Sequence, residues 1–209
     1  MTTKAKTVKL DPAEPDHAFS RCREIVESGG VIAYPTDTFY GLGADPRNHR
    51  AVKKLFEIKG RTEDQPILLL IADAEDVREW ASSVPPRARE LMERYWPGPL
   101  TLILSAKPDV LPELTARTGA IGLRVPGSEL TRGLLRYLGC ALTGTSANRS
   151  GKPSPRTAAE AEAAIGDAID LILDGGDTAG GEPSTVVDVK SGSVKVLRRG
   201  AIPLLRISD

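Results

Sequence analysis

Several polar segments of this 209-residue chain carry residue types that bind anions, and they lie at or near the ends of predicted strands and helices. The first is YPTDTFYGLGAD, residues 34–45, which begins within an apolar run and holds threonines, an aspartate and aromatic residues. A plain connection needs only about two to six residues and no particular polar groups. Ligands commonly bind beyond the carboxyl ends of strands. The segment is therefore either a binding loop or an ordinary strand-to-helix connection.

Cations occupy two further positions of chemical interest. Lys59 and Arg61 close a predicted helix, where a positive charge also complements the helix dipole without any ligand. Arg124 interrupts the apolar run IGLRVP, and a charged side chain in a buried strand requires a partner. That partner is either a structural salt bridge or an anionic ligand.

A hydroxyl-rich segment, TSANRSGKPSP at residues 145–155, also contains an amide and two cations. Backbone N–H groups and hydroxyls in such a loop can hold a phosphate. A polar surface loop that caps the next helix is the alternative interpretation. Ser184, in EPSTVVD, and Arg198, in VLRRG, lie near the strand ends of a predicted hairpin.

The sequence lacks the motifs of several common active sites. It has no G-x-x-x-x-G-K-[ST] loop, no G-x-G-x-x-G that opens a helix and no nucleophile elbow. Its histidines, His17 and His49, lie near predicted helix starts and are expected at the surface, so a Ser-His or Cys-His mechanism has little support. The recurrent cations and hydroxyls favour the positioning of anions over covalent catalysis.

Composition narrows the class of protein further. Lys plus Arg and Asp plus Glu both number 28, so no overall field attracts nucleic acid. Cys22 and Cys140 lack metal-ligand spacing and are expected to be small core residues. The sequence has no apolar leader and no run of membrane-spanning length, so the cytoplasm is the expected compartment.

Hydrophobic periodicity predicts alternating helices and strands. Helices are expected to begin at or near Asp16 (as a cap), Asn48, Ala74, Pro86, Ser128 and Thr157. Strands are expected at 31–35, 67–72, 100–104, 120–125 and 140–144, and finally in an antiparallel hairpin of TVVDV and VKVLR. These elements predict one α/β domain, residues 1–209, around a twisted sheet of mixed parallel and antiparallel strands with helices on its faces.

The order of the motifs resembles the YrdC-type threonylcarbamoyl-AMP synthase family, in its short form without an extra C-terminal domain. The resemblance extends from about Gly30 to Ile202. It rests on YPTDTFYGLGAD, KGR before a proline and an apolar strand, WPGPLT, LRVP, TSANRSGKPSP, EPSTVVD and LRRGAI. Several long motifs in one order are more specific than any one of them.

This resemblance implies a polar cavity on one side of the sheet and a nucleotidyltransferase activity. The implied substrates are L-threonine, bicarbonate and ATP, which give threonylcarbamoyl-adenylate and pyrophosphate. Mg²⁺ would accompany ATP, with no metal ligand from the protein. A separate protein complex would transfer the threonylcarbamoyl group to tRNA, so no stable nucleic-acid binding by this chain is expected.

The resemblance also implies a role for each site residue. Lys59 and Arg61 would be the catalytic residues and would engage the phosphates of ATP. The other implied contacts are those of threonine with Thr36, Arg124 and Ser184, and those of the nucleotide with Ser146, Asn148, Ser154 and Arg198.

One position departs from the family pattern. Many relatives read PLIVHV after the K-x-R element, whereas this chain reads PILLLI, which puts Leu70 where a histidine is common. This replacement keeps open a paralogue that uses another carbamoyl substrate or hydrolyses the adenylate. A non-catalytic RNA-binding module is a further alternative. It would need a basic, aromatic-lined face, against an aromatic content of 4% and a net charge of zero.

Overall fold

The computed structural model describes residues 5–203 and 207. Its helices are α1 (Pro15–Glu27), α2 (His49–Lys59), α3 (Val77–Trp80), α4 (Pro86–Tyr95), α5 (Glu129–Leu138) and α6 (Ala158–Ile165), with a short 3-10 helix at Ala74–Asp76. Its strands are β1 (Lys6–Lys9), β2 (Ile32–Tyr34), β3 (Gly41–Gly43), β4 (Leu69–Leu70), β5 (Leu100–Ser105), β6 (Ala120–Arg124), β7 (Leu142–Thr143), β8 (Thr145–Ser146), β9 (Leu171–Asp174), β10 (Thr185–Asp188) and β11 (Lys195–Arg198). No helix in the described residues has the length and apolar character needed to cross a membrane.

The strands form two mixed sheets. One has the order β1-β9-β2-β3-β8 and the other the order β11-β10-β5-β6-β4-β7. Each contains parallel pairs, such as β1 with β9 and β4 with β6, beside antiparallel pairs, such as β2 with β3 and β5 with β6. The α/β class with mixed strand directions is confirmed, but the strands divide between two sheets where the sequence predicted one.

The chain passes from one sheet to the other within a single residue. β7 pairs with β4, β8 pairs with β3, and only Gly144 lies between β7 and β8. A Cβ atom at position 144 would lie 2.5 Å from Cδ1 of Leu68 and 2.9 Å from Cγ of Leu70, so glycine permits this close approach. Periodicity indicates that a strand is buried but not which sheet it joins, which explains the prediction of a single sheet.

Helix starts follow the polar residues that the sequence indicated, with one exception. The side chains of Asn48, Ser128 and Thr157 accept backbone N–H groups at 3.2, 3.2 and 3.1 Å and cap α2, α5 and α6. The prediction for Asp16 is wrong, because α1 begins at Pro15 and Asp16 lies in its first turn without a capping bond. Proline suits the first helical turn, since it has no N–H to leave unpaired.

Three strands lie in segments that the sequence predicted as irregular. The segment KTVK of β1 pairs in parallel with β9, and β3 and β8 pair with each other antiparallel. Two other predicted strands, 67–72 and 140–144, shorten to β4 and β7. The predicted antiparallel hairpin is confirmed as β10 and β11. Strands of two or three residues, or with polar sequences, offer too little alternation to be recognised from the sequence.

Two apolar clusters form the core. The larger one contains α2 side chains and residues of both sheets, and the smaller one lies where α1 and α5 meet the five-stranded sheet. Cys22 is fully buried in the smaller cluster, as predicted, whereas Cys140 is only partly buried at its edge. His17 and His49 are exposed, as predicted, and His49 pairs with Glu113 at 2.9 Å.

The ring of Tyr34 determines what residue 43 can be. The ring is fully buried, and its hydroxyl donates to the carbonyl oxygen of Thr143 over 2.8 Å. On the neighbouring strand, a Cβ atom at Gly43 would lie 2.5 Å from Cε1 of this ring. Because the hydrogen bond and the surrounding core hold the ring in place, it has no open position to move into.

Replacing Gly43 with alanine is expected to lower the free energy of unfolding by about 1–3 kcal/mol, because the added methyl group overpacks against Tyr34. Gly133→Ala, in α5, is the matched control. Its added Cβ would meet Phe19 at an ordinary 3.6 Å, and alanine favours a helix. Urea denaturation measures both variants. Equal stability of Gly43→Ala and the unmodified protein would contradict the expectation.

Candidate active site

One cavity of about 480 Å³ collects the predicted site residues. Its wall draws on β3 and β8 of the five-stranded sheet and on β4, β6 and β11 of the six-stranded sheet. All the residues that the family resemblance singled out line this cavity: Thr36, Lys59, Arg61, Arg124, Ser146, Asn148, Ser154, Ser184 and Arg198. Residues far apart in the sequence therefore meet at one place in the fold.

Lys59 is the last residue of α2 and is only 4% exposed. The chain turns away directly after it, because Gly60 adopts the left-handed backbone conformation with a φ of 59°. The Lys59 ammonium donates to the carbonyl oxygen of Ser146 at 2.6 Å and to Oδ1 of Asn148 at 2.9 Å. Burial, with repulsion from Arg61, lowers the pKa of Lys59 to about 8. A lysine that only complemented the helix dipole would not need to be buried, so the dipole alone does not explain the position of Lys59.

The hydroxyl-rich segment folds around Lys59. Oγ of Ser146 donates to Oδ1 of Asn148 at 2.5 Å, and Nδ2 of Asn148 donates to the carbonyl oxygen of Lys152. The N–H of Ser150 donates to the carbonyl oxygen of Lys59 at 2.9 Å. Asn148 is 4% exposed. The plain surface-loop interpretation is therefore wrong for this part of the segment, although the segment does lead into the capped helix α6.

Arg124, at the end of β6, has a salt bridge and also faces the cavity. Its Nη2 donates to Oδ2 of Asp37 at 2.6 Å, and its Nε donates to the carbonyl oxygen of Gly98 at 2.9 Å. The residue is 5% exposed and contributes to the cavity wall. The sequence left open a structural salt bridge or an anionic ligand as the partner of Arg124. The two are compatible, because one edge of the guanidinium binds Asp37 and Gly98 while the group still lines the cavity.

Ser184, just before β10, anchors a second arginine. Nη2 of Arg198 donates to Oγ of Ser184 at 3.0 Å and to its carbonyl oxygen at 2.8 Å, and Nε of Arg198 donates to the same carbonyl oxygen at 3.2 Å. Oγ of Ser184 also lies 2.9 Å from Oγ1 of Thr101. These neutral partners orient the Arg198 guanidinium and leave its charge uncompensated.

Thr36 shapes the loop between β2 and β3. Its hydroxyl donates to the carbonyl oxygen of Phe39 at 2.7 Å and accepts the N–H groups of Thr38 at 3.1 Å and Phe39 at 3.3 Å. Such side-chain-to-backbone bonds stabilise a tight turn. The turn carries Asp37 to Arg124, so Thr36 both lines the cavity and holds the loop that orients the arginine.

The cavity is strongly cationic. Within the described part of the chain, its lining includes no Asp or Glu. It includes five cationic side chains, those of Lys59, Arg61, Arg124, Lys152 and Arg198. Burial lowers the pKa of Arg61, and burial with repulsion from Arg124 and Arg61 lowers the pKa of Arg198. Like charges held together away from solvent favour an anionic ligand that neutralises them.

Sequence reasoning missed four residues that belong to this arrangement. Asp37 holds Arg124, Gln65 accepts Nε of Arg61 at 2.6 Å, Lys152 adds a cation, and Thr101 contacts Ser184. Asp37 and Lys152 lie inside segments that the sequence had already indicated, so their charges were a usable signal. Thr101 ends the motif WPGPLT, to which sequence reasoning assigned no role in the site, and Gln65 in an ordinary polar loop offered no signal.

The cavity wall supplies neutral oxygen atoms and no carboxylate among the residues that the structure describes. Residues 5–203 and 207 also contain no group of three or more His, Cys, Asp and Glu side chains placed to hold a metal ion. A hard divalent cation such as Mg²⁺ prefers anionic oxygen ligands. The described lining therefore offers no carboxylate to which such a cation could bind.

Two sheets surround a cavity whose described lining is cationic and holds no carboxylate, which defines an α/β protein suited to an anionic small molecule. The chain belongs to the Sua5/YciO/YrdC family, whose model, described as telomere recombination, matches residues 24–200. This membership confirms the resemblance that the motifs indicated.

Named relatives and a solved structure are similar over most of this chain. Threonylcarbamoyl-AMP synthase of Bacillus subtilis is 40% identical over 188 residues, which cover 90% of this chain and 54% of that protein. The protein of the same name from Nitrosococcus oceani is 38% identical over 170 residues, 80% of this chain and 91% of that one. The crystal structure of Pyrococcus abyssi Sua5 complexed with L-threonine has a TM-score of 0.91 and 35% identity, covering 98% of this chain and 60% of that one. This chain thus spans about half the length of the Bacillus subtilis relative.

The Lys59 ammonium is expected to lose its proton near pH 8, because burial disfavours its charged form. A bound anion should raise this pKa again, since a neighbouring negative charge favours the ammonium. Anion binding above about pH 8 should therefore take up a proton. Heteronuclear NMR of labelled lysine, assigned with Lys59→Arg and repeated with sulfate, measures both effects. Titration at the ordinary lysine value of about 10.4, unchanged by sulfate, would contradict the expectation.

Proposed function

We propose that this protein is an L-threonylcarbamoyladenylate synthase, which forms threonylcarbamoyl-AMP and pyrophosphate from L-threonine, bicarbonate and ATP. The observation that carries the proposal is the cavity itself, in which five cationic side chains converge and no described lining residue is acidic. The reaction must hold a carboxylate, a carbamate and a triphosphate together, and such a cavity suits three anionic fragments. Relatives named for this activity, and the similar Sua5 structure that contains L-threonine, support the choice.

L-Threonine would bind beside Arg124, Thr36 and Ser184. Nη2 and Nε of Arg124 already donate to Asp37 and to the carbonyl oxygen of Gly98. Nη1 would therefore donate to an oxygen of the threonine carboxylate. A charge-assisted bond of this kind is stronger than one between neutral groups. The salt bridge with Asp37 would keep the guanidinium in place before the substrate arrives.

ATP would bind along the wall formed by Lys59, Arg61, Arg198 and the hydroxyl-rich segment with Ser146, Asn148 and Ser154. Arg61 presents a planar fork to phosphate oxygens, whereas Lys59 supplies a compact charge. Asn148 and Ser146 already hold the Lys59 ammonium, so the cation would be preoriented rather than recruited by the nucleotide. Mg²⁺, bound to the phosphates, would offset part of their charge.

The proposed chemistry makes little use of protein acids or bases. The amine of threonine attacks the carbon of bicarbonate, and loss of water gives the carbamate. A carbamate oxygen then attacks the α-phosphorus of ATP, the bond to the β-phosphate oxygen breaks, and its electrons leave with pyrophosphate. Lys59 and Arg61 would stabilise the charge that accumulates on pyrophosphate, and the cavity would keep water from the labile adenylate.

The product would serve a separate protein complex that transfers the threonylcarbamoyl group to an adenosine of tRNA. The equal numbers of basic and acidic residues support this division, because a catalyst that hands on a small molecule need not hold tRNA itself. With a role in tRNA modification, the proposed activity would be cytoplasmic.

The test is an assay of the purified protein with ATP, Mg²⁺, bicarbonate and L-threonine, each omitted in turn. Mass spectrometry of the adenylate and release of pyrophosphate are the readouts. Formation of threonylcarbamoyl-AMP that requires every substrate is the expected result. A folded protein that forms no adenylate would refute the proposal.

Leu70 supports a second candidate, a paralogue with another substrate. Its side chain lines the cavity, and it is the register partner of Arg124 across β4 and β6, so it lies beside the proposed carboxylate site. An apolar side chain there favours an apolar group on the substrate over a hydrogen bond to the threonine hydroxyl. Product formation that proceeds without threonine but with another amino acid would favour this candidate.

Lys59→Ala and Arg61→Ala are each expected to lower the rate of adenylate formation about 100-fold, because each removes a charge contact with the leaving pyrophosphate. Lys53→Ala is the matched control, since Lys53 is exposed on the same helix. Pyrophosphate release under saturating substrates measures the rates, and melting temperatures monitor the fold. Near-normal rates in the folded Lys59 and Arg61 variants would show that the assignment is wrong.

Arg124→Ala is expected to raise the KM for L-threonine by about tenfold or more, with a smaller effect on the KM for ATP. It should also destabilise the protein, because Asp37 would lose its buried partner. Arg124→Lys separates the two effects: it keeps a cation for Asp37 but loses the geometry of the guanidinium. Equal increases in both KM values would contradict a dedicated threonine contact.

A further inference from the structure

Thr101 carries a buried hydroxyl that the proposed reaction does not use. It lies on β5, is 1% exposed and is not part of the cavity wall. Within residues 5–203 and 207, its hydroxyl has one hydrogen-bond partner, Oγ of Ser184 at 2.9 Å. Burying a hydroxyl removes it from water, so its presence in an apolar strand calls for a compensating interaction.

The methyl group of Thr101 restricts where its hydroxyl can point. Its Cγ2 packs over Gly122 of β6, where an added Cβ atom would lie 3.4 Å away. A β-branched side chain has few allowed rotamers, and the packed methyl group removes further choices. The hydroxyl of Thr101 is therefore directed at Ser184.

Counting protons assigns the roles of the two hydroxyls. A serine hydroxyl has one proton and two acceptor positions. Arg198 fills one acceptor position of Ser184 through Nη2 at 3.0 Å. If Thr101 donates to the other, the proton of Ser184 is left for the cavity. The reverse arrangement would leave the Thr101 proton buried without an acceptor in the described part of the chain, which is unfavourable.

We infer that Thr101 is a positioning residue: with Arg198, it makes the hydroxyl of Ser184 a hydrogen-bond donor directed at an anionic oxygen in the cavity. The inference rests on the proposed function and deepens it. The anionic oxygen is a carboxylate oxygen of L-threonine or a phosphate oxygen of ATP, since both are pure acceptors. Without Thr101, the Ser184 proton would have competing directions, and donation to the ligand would lose orientation.

Thr101→Val tests the inference, because valine has the same shape and lacks the hydroxyl. Isothermal titration calorimetry would measure L-threonine and ATP separately with the unmodified protein, Thr101→Val, Thr101→Ser, Ser184→Ala and the double variant of Thr101→Val with Ser184→Ala. We expect Thr101→Val to bind one of the two ligands about fivefold to tenfold more weakly. Thr101→Ser, which retains a hydroxyl, should recover most of that affinity.

The double variant distinguishes positioning from a general structural role. If Thr101 acts through Ser184, Thr101→Val should have no further effect once Ser184 is alanine. A loss confined to L-threonine assigns the donor to the carboxylate, and a loss confined to ATP assigns it to a phosphate. Unchanged affinities in Thr101→Val, or an equal loss in the Ser184→Ala background, would overturn the inference.

The same titrations separate this inference from the proposed function. If the unmodified protein binds ATP but not L-threonine, the proposed function fails, and the ATP measurements still decide the role of Thr101. If it binds neither ligand, both ideas are overturned. Melting temperatures of all five proteins identify any loss of affinity that comes from unfolding.

Discussion

Repulsion among cations in one partly buried cavity is the constraint on which the rest of the site depends. Lys59 and Arg198 are held mainly by carbonyl and amide oxygens or hydroxyls, partners that orient a cation without cancelling its charge. Within residues 5–203 and 207, Arg124 alone among the predicted site residues forms a salt bridge, and its partner, Asp37, lies outside the cavity lining. The positive potential of the cavity is therefore left available to a ligand. The repulsion among these cations lowers the free energy of unfolding of the unbound protein.

The surrounding fold meets this constraint by local devices. The left-handed Gly60 ends α2 so that Lys59 turns inward, and the side-chain bonds of Thr36 hold the turn that brings Asp37 to Arg124. The hydroxyl-rich segment wraps around the ammonium of Lys59 through its own backbone. Lys59 and Arg124 are thus held by segments whose own hydrogen bonds do not involve a ligand, which is the condition for preorganised electrostatics.

How far the sequence could predict the molecule depended on the range of the interaction involved. Helix caps such as Ser128 and buried helix faces were predictable because they follow from residues a few positions apart. The division into two sheets was not, since it depends on which distant strand each short segment pairs with. The same limit applies to the site. The residues around Arg124 in the sequence did not show which partner it has. The site residues could be assigned to one site only from the order of several motifs along the chain. Thr101 ends the quoted motif WPGPLT, yet neither approach gave it a role, because the sequence does not show which side chain a single hydroxyl in an apolar strand will meet.

The passage of the chain between the sheets at Gly144 has a mechanical consequence. Because one residue separates β7 from β8, neither sheet can slide along this seam without breaking strand pairs on one side. The strands of the cavity wall are therefore tied together at Gly144, whereas the loops 61–66 and 149–154 also contribute to the lining. A movement that admits a ligand would fall to these loops rather than to the sheets. In enzymes whose product release limits turnover, substitutions in such loops can change the rate without touching any reacting group.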